Sequence, residues 1–204
     1  MNGARDIDVR SLPTLELGPR APIYLGQLLM MVIEGTIVAL LIAGYLYTRA
    51  AFLNWPPPNE ERPHWVLPTI GLVLLLLSVP PIWWSGKGIE ERNRRKAMIG
   101  LLLNLVLAAA FLITRWAELV RLDFKWTTDV YGSYVWTLLG LHTIHAIADT
   151  CESTIFLVIL LARRVGEKQM QGFKVDAVYW YFVVLINIPI WFVVYMYPLI
   201  AKWT

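Results

Sequence analysis

Seven ionisable residues lie where chemistry would be expensive to place by accident. Glu34 sits near the middle of an apolar run. His142, His145, Asp149 and Glu152 share a second run. Arg115 and Glu118 close a third. Each costs several kcal/mol in a lipid-like setting unless it is paired or hydrated, so each calls for a partner. Counted from His142, the offsets to the next three are 3, 7 and 10. That spacing puts all four on one helix face. His, Asp and Glu are metal ligands, so the first chemistry to consider is a metal site. Ten residues of helix span about 15 Å, too far for all four to hold one ion. A haem needs ligands from opposite sides of its ring, and two histidines on one face cannot supply both. The reading favoured is a buried polar, proton-linked seam of Glu34, His142, His145, Asp149 and Glu152. In it, Glu34 is hydrogen-bonded to an imidazole. No catalytic residue and no metal ligand is assigned.

Arg115 and Glu118 are three apart and suit an interfacial ion pair at a helix end. Asp176 suits the N-cap of a last helix. Asn104 and Asn187 suit interhelical hydrogen bonds. The aromatic residues from Tyr179 to Phe182 suit packing. No phosphate loop, nucleophile elbow or zinc spacing is present.

The elements that carry these residues follow from hydropathy. The chain has 204 residues, 57% hydrophobic and only 16% charged, with a mean hydropathy of +0.55. Soluble domains carry about 25% charged residues. A spanning helix needs about 20 apolar residues. Five runs qualify, near 23–47, 65–84, 98–119, 132–161 and 177–200. Backbone polar groups cannot go unpaired in lipid, so these runs are helices. The fold expected is all-α, an integral membrane bundle of five transmembrane helices over 23–204, after a polar tail at 1–22. The tail lacks the apolar core of a cleavable signal peptide. Asn54-Trp55-Pro56-Pro57-Pro58 breaks the first helical hairpin. Pro68, Pro80 and Pro81 should bend or end the second helix. Tyr45, Tyr47, Trp65, Trp83, Trp84, Trp116, Tyr131 and Trp203 fall near run ends and suit the headgroup layer. Twelve of the eighteen Lys and Arg residues fall on the side of the N-terminus and the 87–96 connection. The positive-inside rule then places the N-terminus in the cytoplasm and the C-terminus outside. The net charge of +3 gives no reason to invoke nucleic acid. The single cysteine, Cys151, cannot form an intramolecular disulfide.

The order of motifs resembles subunit III of the haem-copper respiratory oxidases. Leu29-Met30-Met31-Val32-Ile33-Glu34, continuing to Tyr45-Leu46-Tyr47-Thr48-Arg49 and Trp55-Pro56-Pro57, resembles that family's glutamate-bearing helix and Trp-Pro-Pro loop. Phe111, Arg115 and Glu118 fall where the family has Phe, Gln and Glu. Tyr131-Gly132-Ser133 and Gly140-Leu141-His142-Thr143-Ile144-His145 resemble its Tyr-Gly-Ser and double-histidine elements. Trp180-Tyr181-Phe182-Val183 resembles its Trp-His-Phe-Val-Asp signature. Tyr181 and Val184 replace the signature His and Asp, Thr143 a glycine, and Arg115 the Gln. Asp149 and Glu152 have no counterpart in that pattern, so this is a divergent five-helix member.

The resemblance implies an accessory subunit of a terminal oxidase in a bacterial inner membrane. Haem and copper would belong to partner subunits I and II, and no cofactor to this chain. Phospholipid binding and support of proton uptake during O2 reduction are implied as well. Two alternatives are an accessory subunit of a nitric oxide reductase and an autonomous membrane metal enzyme or transporter built on the His142 to Glu152 stripe.

Overall fold

The computed structural model describes residues 22–52, 55, 64–162 and 167–200. The tail 1–21, most of the Trp-Pro-Pro loop and Trp203 lie outside these described residues. Five long helices make up the fold: α1 (Pro22–Ala51), α2 (Val66–Glu90), α3 (Arg94–Val120), α4 (Val130–Leu161) and α5 (Glu167–Trp191). A π-helical turn, Phe192–Met196, and a last α-turn, Tyr197–Ile200, prolong α5. No strand occurs among the described residues. All five helices are long and apolar enough to cross a membrane.

The starts and stops have local causes. The Asn93 side chain accepts the Lys96 N–H at 3.2 Å and caps α3. The Asp129 side chain accepts the Gly132 N–H at 2.7 Å and caps α4. Both satisfy donors that a helix leaves orphaned at its first turn. The α2–α3 connection is only residues 91–93, with Arg92 at φ 53° making the reversal. Pro80 and Pro81 lie within α2 and do not end it. Pro189 sits inside α5 just before the π-turn. A proline removes one backbone donor, and wide turns form where the ladder is disturbed.

α2 and α3 form the tightest pair. A Cβ at Gly88 would lie 2.5 Å from Ala97 N, and one at Gly100 would lie 2.8 Å from both Pro81 O and Ser85 N. Backbones approach this closely only where small residues allow it. Ser85 Oγ donates to Ala97 O at 2.7 Å across the same contact. α5 packs against both α2 and α4, with Trp180 fully buried and donating to Ser78 Oγ at 2.8 Å. α1 is the least embedded helix. Only Val38 and Tyr45 of it are buried, and it leans on α4 and α5.

The outside of the bundle is apolar and much of its interior is polar. Val32, Ile33, Leu40, Val106, Ile113 and Val120 are exposed, whereas Arg115, Glu118, His142, Asp149 and Asp176 are buried. Water would favour the reverse; lipid favours this.

Two expectations about aromatic residues are corrected. Tyr45 and Tyr131 do not face outward from the bundle as headgroup-layer rings would. Both are fully buried in a cluster with Trp55 and Phe124. Trp55 Nε1 donates to Tyr45 Oη at 3.0 Å, and the Tyr45 and Trp55 rings meet edge to face at 5.3 Å. The cluster joins α1, the start of the following loop and α4. Tyr47, Trp65, Trp83 and Trp116 are exposed, as a belt requires.

Candidate functional site

α1, α4 and α5 meet around Glu34. Tyr179 Oη donates to Glu34 Oε2 at 2.8 Å, and His145 Nε2 lies 3.4 Å from Glu34 Oε1. The Glu34 and His145 side chains are mostly buried. The Tyr179 ring meets His145 at 85° and leans on Phe182. Gly35, next to Glu34, leaves room for the Phe182 ring, whose edge would lie 3.5 Å from a Cβ there. His145 is thus the imidazole that stands at ion-pair distance from Glu34, without the expected hydrogen bond. Tyr179, expected only to pack, supplies the hydrogen bond. Its hydroxyl on a helix facing the Glu34 run was the available signal, but a tyrosine hydroxyl says nothing about depth or partner by itself.

His142, a member of the expected seam, has a different partner from His145. His142 is buried, with Nε2 3.0 Å from Val183 O and its ring edge-on to Phe111. A carbonyl can only accept, so Nε2 carries the proton. His142 thus ties α4 to α5 one turn above the point where His145 turns toward α1.

Asp149 and Glu152, the lower half of the same stripe, face a third acid. Asp149, Glu152 and Asp176 each offer a carboxylate oxygen, and these oxygens lie within 4.8 Å of one another. Asp149 and Asp176 are buried and Glu152 is exposed. Ser153 Oγ donates to Asp176 Oδ2 at 2.9 Å. Asp176 is not an N-cap. α5 begins at Glu167, so Asp176 lies more than two turns inside the helix. The charged stretch 167–174, read as a connection, is helix.

At the opposite end of the bundle, Arg115 and Glu118 do pair. Arg115 Nη1 donates to both Glu118 oxygens at 2.9 and 3.0 Å. The pair is buried within the bundle, not set at its rim: side-chain exposures are 4% and 6%. Arg115 Nη2 donates to Asn187 Oδ1 at 3.0 Å, and Tyr195 Oη donates to Glu118. Asn187 is therefore the interhelical bridge expected of it. Asn104 is buried with neither amide atom partnered among the described residues.

A cavity of about 730 Å³ opens between α1, α2 and α5, at the end carrying the α2–α3 turn. Tyr24, Ile82, Trp83 and Phe173 line it, with Lys87 and Lys174 among the polar groups. Lys87 Nζ sits 3.8 Å over the Trp83 ring, and Lys174 pairs with Glu90 at 2.9 Å.

A family model described as cytochrome c oxidase subunit III matches residues 25–199, nearly the whole described bundle. The chain belongs to the cytochrome c oxidase subunit III family. Among relatives, a probable cytochrome c oxidase subunit 3 of Rickettsia bellii is 31% identical over 150 residues, covering 70% of this chain and 53% of that protein. The cytochrome c oxidase subunit 3 of Struthio camelus is 31% identical over 145 residues, with coverages of 70% and 54%. That of Chondrus crispus is 30% identical over 131 residues, with coverages of 63% and 48%. The chain thus spans about half the length of the curated relatives it matches. Membership in the subunit III family is consistent with a subunit that holds no cofactor of its own. His142 is engaged by a backbone carbonyl and His145 by a carboxylate.

Proposed function

We propose that the chain is the accessory subunit of a respiratory terminal oxidase, seated on the catalytic subunit I beside subunit II in a bacterial inner membrane, N-terminus in the cytoplasm. The observation that carries this reading is the family match over residues 25–199, joined to a bundle in which Glu34, Glu118, His142 and His145 each meet a partner within the chain. Haem and copper belong to the partners. This chain's own part is to pack, to bind lipid and to support proton uptake by the complex. The relatives' names favour an oxidase over a nitric oxide reductase.

Two features support the separate parts of that role. The cavity beside Tyr24 and Trp83, of about 730 Å³, has an apolar lining suited to an acyl chain, and Lys87 and Lys174 among its lining residues suit an anionic headgroup. Glu34, held by Tyr179 and His145, is a carboxyl whose two oxygens each face a group able to carry a proton. Such a pairing can pass or store a proton without a metal.

The test is co-purification. The tagged chain, extracted in mild detergent at native expression, should bring down a large multi-helix partner with haem absorption bands and oxygen-consuming activity. Recovery of the chain alone and colourless would overturn the reading. A haem partner that consumes nitric oxide and not O2 would replace it with the reductase alternative.

A further inference from the structure

The trio Asp149, Glu152 and Asp176 stands apart from the Glu34 pairing, and the oxidase reading makes no use of it. Its defining feature is what its buried members lack. Both side-chain oxygens of Asp149, and Oδ1 of Asp176, are buried with no hydrogen-bond donor among the described residues. Asp149 and Asp176 are each 99% buried by relative exposure of 1%. Ser153 satisfies only the second oxygen of Asp176. No Lys, Arg or His forms an ion pair with any of the three among the described residues. Three carboxylates converging in a low-dielectric interior, with buried oxygens that meet no Lys, Arg or His among the described residues, call for a countercharge or a shared proton.

We infer that Asp149, Glu152 and Asp176 form a binding site for one hard divalent cation, bridging α4 and α5. The donor set is all oxygen, which selects calcium, magnesium or manganese over zinc or copper. One carboxylate oxygen from each of the three lies within 4.8 Å of the others, close enough for a single ion to reach all three. The objection raised by the His142 to Glu152 span does not apply. Asp149 and Glu152 are one turn apart, and the third ligand comes from the neighbouring helix. The exposed Glu152 gives an entry and leaves positions for water, which calcium keeps readily. Asp176 follows Lys174 by two residues, and Lys174 pairs with exposed Glu90 beside the α2–α3 turn, which puts the site toward that end of the bundle. The inference is independent of the oxidase reading, since it concerns only two helices of this chain.

The test uses the full chain in mild detergent, stripped with chelator and dialysed against calcium. Metal content is read by mass spectrometry beside a Glu91→Gln control, an exposed acid elsewhere in the chain. We expect about one Ca2+ per chain, lost in Asp149→Asn and weakened about tenfold or more in Glu152→Gln. Glu152 is exposed, so its variant keeps the fold even where the Asp149 variant does not. No calcium beyond the background of buffer and detergent, or calcium undiminished in both variants, would overturn the site. So would an infrared carboxylic-acid band that persists in calcium and vanishes in Asp149→Asn, because the two aspartates would then be sharing a proton in place of an ion.

Discussion

Two groups of buried charge stand at opposite ends of the bundle, and they solve the same problem differently. Near one end, Arg115 neutralises Glu118 directly, Asn187 takes the remaining guanidinium donor, and Tyr195 caps the carboxylate. Near the other, Asp149, Glu152 and Asp176 converge, and among the described residues Ser153 alone donates into the group. Both groups join α5 to a neighbour, α3 in the first case and α4 in the second. The first finds its countercharge within the chain; the second finds none among the described residues, and the cation assigned to it comes from outside. Burial therefore does not by itself distinguish a structural charge from a binding one. What distinguishes them is whether the chain supplies the countercharge.

The largest expected effect breaks the complete group. Arg115→Met removes the one cation and leaves Glu118 buried beside a tyrosine hydroxyl. Removing one partner of a buried pair costs about 3–5 kcal/mol. Denaturant or heat titration of the chain in detergent should show a loss of that order. A cost below about 1 kcal/mol would mean that water or lipid headgroups already screen the pair, and the contrast between the two ends would collapse.

The next effect has the opposite sign. In the absence of divalent cations, Asp149→Asn removes one of two facing buried acids. It should be neutral or stabilising by about 1 kcal/mol, as replacement of uncompensated buried charge often is. With calcium present, the same variant should be the less stable protein, because the wild type alone gains binding energy. A variant destabilised equally in both conditions would show that Asp149 serves packing only.

These groups also show what sequence can and cannot carry. Five spanning helices were legible because lipid imposes a length and a composition on every one, and the bounds agree within about four residues except at the end of α2, which runs on to Glu90, and at the start of α5. That helix starts ten residues early because its first turns, from Glu167 to Lys174, are charged and amphipathic, and hydropathy alone cannot separate such turns from a connection. This is also why Asp176 was read as a cap, and why the third acid of the trio was missed. The stripe from His142 to Glu152 was legible as one face. Its division into three separate pairings was not, since that depends on what α1 and α5 place opposite each turn: Val183 O at one level, Glu34 at the next, Asp176 at the third. Tyr45 and Tyr131 were misplaced for a related reason. A tyrosine serves equally at a headgroup layer or in a buried aromatic cluster, and only the partner ring decides.

A third expectation sharpens the comparison by adding a site of intermediate character. Glu34 has partners within the chain but no permanent cation: Tyr179 donates, and His145 is charged only when protonated. Tyr179→Phe deletes the 2.8 Å bond and no packing volume of consequence. The expected cost is about 1.5 kcal/mol, the lower end for a hydrogen bond to a charged group. That should fall between the Arg115 and surface effects. Thermal denaturation of the variant beside Tyr181→Phe, a ring on the same helix with no hydrogen bond to an acid, would isolate the contribution of the hydroxyl.

The smallest effect is expected where charge is paired but not buried. Lys174 and Glu90 approach within 2.9 Å, yet both side chains are more than half exposed. Exposed ion pairs contribute about 0–1 kcal/mol, since water and salt screen them and two long side chains must be held still. Lys174→Gln should therefore shift stability by less than about 0.5 kcal/mol, and raising the salt concentration should erase even that. The same variant removes one of two cations beside the apolar cavity, so anionic phospholipid retained through purification should fall while neutral lipid does not. Measured together, stability and retained lipid separate two uses of one lysine. A large stability loss with lipid content unchanged would make Lys174 a structural charge like Arg115. An unchanged fold with less anionic lipid would make it, like the acid trio, a group whose countercharge comes from outside the chain.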